Sequence, residues 1–147
     1  MNEYRDSFAS LMRFCRDFAD EMVGAGYDLE VMNLDAAGGP SDWPKKDVIG
    51  VAEYTFTLND GNIRVQNMFA LSTVEDTNNF RLNDLMNRLV NKLIPGMRIK
   101  LLHATSGATR GFLVVTNGTR VTPPEPSKTR VIQPVMVSLL SDQILRA

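Results

Sequence analysis

Side chains able to do chemistry are scarce in this chain. It has one histidine, His103, and one cysteine, Cys15. A single imidazole excludes a two-histidine metal site or relay within one chain. A nucleophilic pair of Cys15 with His103 is formally possible. Cys15, however, falls on the apolar stripe of a helix, where a thiol is buried and inert. His103 follows Leu101-Leu102 at a strand end, the setting of a partly buried structural histidine. Asp17, Asp20 and Glu21 are close enough to pair as carboxylates, yet they share the polar side of that same helix, where acids are solvated. Gly107-Ala108-Thr109-Arg110-Gly111 lacks the lysine and following helix of a phosphate loop, and Gly24-Ala25-Gly26 follows a helix instead of opening one. Asn59-Asp60-Gly61-Asn62 is too short for a calcium loop and lacks its terminal glutamate. The expectation is a protein that is not an enzyme and uses no cofactor or metal.

The charges carry more information. Residues 1–60 hold 5 Lys/Arg against 12 Asp/Glu, a net of −7, and residues 61–147 hold 11 against 5, a net of +6, which sum to the overall −1. A small body with opposite fields on two faces can dock head to tail on its own copies, or offer the basic face to a polyanion. The later basic residues are Arg98, Lys100, Arg110, Arg120, Lys128 and Arg130, and only Phe112 lies among them as an aromatic. Base stacking on an aromatic platform is therefore poorly supported, whereas sequence-blind proximity to DNA phosphates needs only the charges. A strand edge guarded by Lys and Arg is the plainer reading.

The elements that must position these groups follow from periodicity. One domain suits a chain of 147 residues. No apolar run exceeds four residues, so no membrane span is expected, and the start MNEYRDSF lacks the apolar stretch of a secretory signal. Residues 3–23 predict an amphipathic helix with Tyr4, Phe8, Leu11, Cys15, Phe18 and Met22 on one stripe. Phe14 falls outside that stripe and either widens it or touches a partner. A short strand is expected within Tyr27–Leu34. Residues 35–47 form a Gly/Pro-rich loop holding the only tryptophan, Trp43, which is either a lid on the domain's own core or an anchor for a neighbouring subunit.

Residues 51–71 predict a hairpin turning at Asn59-Asp60-Gly61-Asn62, its second strand interrupted by Asn67. A second helix is expected over 78–94, capped by Asp76 or Thr77 and stopped by Pro95-Gly96. Asn79, Asn83, Asn87 and Asn91 recur along it, either as a solvated face or as an amide ladder across a subunit contact. Strands fill 97–140. Asn117-Gly118 predicts a hairpin between Gly111–Thr116 and Thr119–Thr122, and Pro123 to Ser127 a stiff link. Val131–Leu140 is apolar on both faces, as in a central strand, although Pro134 argues for a bulge or an edge. The fold class expected is α+β: a mostly antiparallel sheet with two amphipathic helices packed on one face.

This order of elements, a helix, the Val51–Leu71 hairpin, the 78–94 helix and closing strands ending in Val131–Leu140, resembles the tail terminator and tail-completion (neck) proteins of long-tailed bacteriophages. The resemblance is architectural and covers most of the chain; the 35–47 loop and the 123–126 link have no counterpart in it. It implies a structural virion protein, assembled in the host cytoplasm as a homo-oligomeric ring, a hexamer, that terminates the tail tube and sheath and joins them to the head. Its partners would be its own copies and tube, sheath or connector proteins, with DNA passing near and no membrane. On this reading Asp42, Trp43, Lys45 and Lys46 are candidate subunit or tail contacts, and Arg98, Lys100, Arg110, Arg120 and Arg130 candidate lumen or interface residues. The alternative is a small soluble module that binds a protein or ligand without catalysis.

Overall fold

The computed structural model describes residues 2–59 and 61–142. Helix α1 spans Glu3–Gly24. It has no proline and a single β-branched residue, Val23, so nothing in its interior opposes helix formation. It ends where the N–H groups of Ala25 and Tyr27 both turn back to the Met22 carbonyl, with Gly26 at φ +93 between them. That left-handed turn is cheap only for glycine. Strand β1 (Leu29–Asn33) leads into the loop, which includes a turn of 3-10 helix at Pro40–Asp42. Strands β2 (Asp47–Asn59) and β3 (Asn62–Thr73) form the expected hairpin, longer at both ends than 51–71. Asp60, in its turn, lies outside the described residues.

Helix α2 is Phe80–Val90, shorter than 78–94, and a 3-10 turn at Thr77–Asn79 precedes it. Asn78 and Asn79 sit at φ 55 and 58, which asparagine tolerates better than most residues, so the helix starts after them. Asp76 caps it: its carboxylate accepts the N–H groups of Arg81 and Leu82 and the Thr73 hydroxyl. Burial opposes that charge, yet these donors and Arg81 hold the carboxyl below its ordinary value. The asparagine row is accordingly broken. Asn79 precedes the helix, and Asn83, Asn87 and Asn91 are exposed.

The remaining strands are β4 (Arg98–Leu102), β5 (Thr109–Val115), β6 (Arg120–Val121), β7 (Glu125–Pro126) and β8 (Val131–Ser141). The sheet runs β1-β2-β3-β8-β5-β4, with β6 and β7 also on β8. β1 pairs parallel to β2 and every other pair is antiparallel, so the sheet is mixed and curled. The fold is α+β.

The hairpin expected at Asn117-Gly118 does not form. β5 and β6 do not pair with each other; they lie in succession along one edge of β8, followed by β7. The other edge of β5 is taken by β4. Between β5 and β6 the chain steps off that edge and returns, held by the Thr116 N–H on the Ser138 carbonyl and the Thr119 hydroxyl on the Leu93 carbonyl. This broken edge explains Pro134. The Thr122 N–H donates to the Pro134 carbonyl, so the bare proline nitrogen faces the same side, where residues 122–124 leave the ladder. β8 is thus central, and its pairing with β3 is unbroken across Pro134.

Both helices enter one apolar cluster on the inner face of the sheet. Leu11, Cys15, Phe18 and Met22 of α1 and Leu82, Leu85 and Leu89 of α2 meet Ile63, Val65, Phe69 and Leu71 of β3. Each such side chain contributes about 1.5–3 kcal/mol on burial. Phe14 belongs to this core, with its ring 5.1 Å from that of Phe69. Helix α1 touches β1 and β2 at one end of the strand order and β4 at the other, so the curled sheet wraps it.

Candidate functional site

Trp43 is half-buried within its own loop. The 35–46 loop folds onto the outer face of the sheet, and Gly50 makes room for the end of β1 that leads into it: a Cβ there would lie 2.6 Å from the Leu34 side chain and from the Met32 carbonyl oxygen. The indole N–H of Trp43 donates to the Gly38 carbonyl, and the Arg130 guanidinium sits 5.2 Å from the indole centroid. Arg130 is only 4% exposed. It donates to the Pro44 and Lys46 carbonyls and to the Ser72 hydroxyl. Burial pushes this guanidinium below its ordinary value, with Asp47 opposing. Arg130 therefore clamps the loop and is withdrawn from the free basic surface. Asp42 and Lys45 remain exposed, while Lys46 pairs with Asp28 at 3.3 Å.

Arg110 is also taken inward. Its guanidinium pairs with Asp6 at 2.7 Å and Glu3 at 3.3 Å, both on α1. Asp6 is buried and also accepts the Ala104 N–H, next to the Leu102 N–H that donates to Ser10. These α1 side chains stand where a further strand would, and they cover part of the free edge of β4. Arg81 pairs with Asp47, and Lys92 with Glu21 at 2.7 Å. In each of these contacts an acid from residues 1–60 meets a base from residues 61–147. Part of the charge asymmetry is thus spent within one chain, where these pairs join its two halves.

One basic patch carries no such pair. The outer face of the sheet beyond the loop carries Arg64, Arg98, Lys100 and Arg120. Register places Arg64 opposite Leu140, Arg98 opposite Val114, Lys100 opposite Phe112 and Arg120 opposite Met136. All four are exposed, and among the described residues none forms an ion pair. Arg98 lies 5.2 Å from the Phe112 ring centroid. Met136 beside Arg120 is 38% exposed. Of the five basic residues expected at the surface, Arg98, Lys100 and Arg120 are brought together here. Arg64, hidden in sequence by its hairpin alternation, joins them.

A second feature was not marked by the sequence. Ile49 and Val51 face the helices, and one extra residue at Glu53, with φ 50, shifts the phase so that Tyr54 and Phe56 face them too. The Asp35 carboxylate holds this bulge by accepting the Glu53 and Tyr54 N–H groups. Tyr54 then packs edge-on against Tyr4 and Phe8, with centroids 5.1 and 5.3 Å apart. Tyr4, expected in the core, is 60% exposed. The legible signal was the slip from odd to even apolar positions between Val51 and Tyr54.

Cys15 is fully buried, and burial pushes its thiol far up. His103 is 3.8 Å from Asp6, at the opposite end of β4 from Arg98. Among the described residues no three His, Cys, Asp or Glu side chains cluster to hold a metal, and no helix is long and apolar enough to cross a membrane. No protein-family model matches the chain, and no curated protein matches it.

Proposed function

We propose that this chain is a structural subunit of a phage tail or neck, one copy of a ring that terminates the tail tube and sheath and joins them to the head. The observation that carries the reading is the uncovered sheet face, where Arg64, Arg98, Lys100 and Arg120 interleave with Met136, Val114 and Leu140. Exposed apolar surface rimmed by charge of one sign suits a contact surface better than plain solvated sheet. In a ring it would meet a different patch on the next copy, or line a lumen through which DNA passes. Light scattering on the purified chain and negative-stain imaging with tail tubes test this. A ring of defined mass that caps tube ends supports it. A strict monomer at high concentration that never caps tubes refutes it.

The alternative, a small binding module, has one observation in its favour. A cleft of about 280 Å³ lies between Trp43, Pro40, Val74 and Arg130. That is just below the usual range of ligand pockets, roughly 300–1,000 Å³.

A further inference from the structure

We propose that the cleft formed by Tyr4, Phe8 and Tyr54 receives a basic side chain from the uncovered sheet face of a second copy. The cleft measures about 200 Å³ and is also lined by Asn33 and Asp35. Such a volume is enough for the head of one long side chain. Its chemistry selects a cation. The Tyr4, Phe8 and Tyr54 rings pack edge to face, and Phe56 supports Tyr4 at 5.4 Å. Aromatic faces attract guanidinium and ammonium groups. Asp35 lines the cleft, and the exposed Glu53 adjoins it in the bulge. Neither acid is in an ion pair among the described residues.

The occupant follows from charge complementarity within the chain. Arg64, Arg98, Lys100 and Arg120 are four exposed cations without a carboxylate partner among the described residues. The receiving rings and acids lie on α1, the loop after β1, and β2; the donors lie on β3, β4 and β6. Two different, complementary patches on one subunit make a heterologous contact, the type that closes rings. Tyrosine is enriched among interface anchors, and here two pack against each other beside Asp35 and Glu53. The inference rests on the ring reading and specifies which surfaces make it.

Sedimentation of the whole chain and its variants separates the cleft contact from the ring itself. Tyr4→Ala removes a mostly exposed ring and Glu53→Lys reverses an exposed charge, so circular dichroism should match the parent. Each is expected to raise the concentration needed for assembly roughly tenfold or more. Four donor reversals, Arg64→Glu, Arg98→Glu, Lys100→Glu and Arg120→Glu, are made singly. At least one should weaken assembly alone and restore it when mixed one to one with Glu53→Lys, because alternating copies recover opposite charges at every contact. If the parent chain assembles and both receiver variants assemble as well as it does, the cleft is not the contact and the ring reading stands. The cleft is likewise excluded as the contact if no donor reversal rescues Glu53→Lys. If the parent chain neither assembles nor caps tail tubes, the ring reading fails and this inference with it.

Discussion

Removing the Asp6 carboxylate should unlock the first helix from the far end of the sheet. Asp6 has a side chain only 2% exposed. It accepts the Ala104 N–H at 2.9 Å and the Arg110 guanidinium at 2.7 Å, with His103 nearby at 3.8 Å. In Asp6→Ala the Ala104 N–H loses its acceptor, a penalty of about 1–3 kcal/mol. Breaking a fully buried ion pair costs about 3–5 kcal/mol. Arg110 is 18% exposed and keeps Glu3, so the lower end applies. The expected loss is about 3 kcal/mol, close to a 10 °C fall in Tm for a chain of this size.

The pH dependence gives a second readout. Burial alone would raise the Asp6 carboxyl, yet the Ala104 N–H, Arg110 and His103 together hold it below its ordinary value. A carboxyl depressed in the folded state stabilises the protein above its unfolded pKa of about 3.9, and that stability is lost as pH falls through the folded value. The stability gap between parent and Asp6→Ala should therefore be flat from neutral pH to about pH 5 and close below about pH 4. Urea unfolding followed by circular dichroism between pH 7 and 2.5 measures both. A loss under about 1 kcal/mol at neutral pH, or a gap that persists unchanged at the acid end, would refute the reasoning.

Three further outcomes are expected. Gly50→Ala should destabilise by about 1–3 kcal/mol in thermal unfolding, because the added Cβ meets the Met32 carbonyl, which cannot swing away as a side chain can. Arg130→Met removes the donors that hold Pro44 and Lys46 and the cation over Trp43; the tryptophan emission should shift red and proteases should cut the 35–46 loop faster. Cys15 should resist a thiol-specific reagent in the folded protein and react only as fast as the chain unfolds, since it is fully buried and burial pushes its thiol up.

By itself the sequence determined the local elements and the faces they bury. The α1 stripe, the β2–β3 hairpin, the α2 core face and the interior character of β8 were all legible, because periods of 3.6 and 2 report burial directly. The scarcity of histidine and cysteine bounded the chemistry in the same way. Tertiary structure alone decided which strands pair and which charges remain free. Asn117-Gly118 carries hairpin chemistry, yet β8 offers β5 and β6 one long edge, and a non-local ladder overrode the local turn. Composition counts Arg110 and Arg130 with the basic surface, and only the curl of the sheet around α1 and the fold of the loop bring Asp6 and Trp43 to them. A charge tally is linear along the chain, whereas Coulomb's law acts through space; folding paired Arg110 and Arg81 internally and left Arg64, Arg98, Lys100 and Arg120 exposed on one face of the sheet.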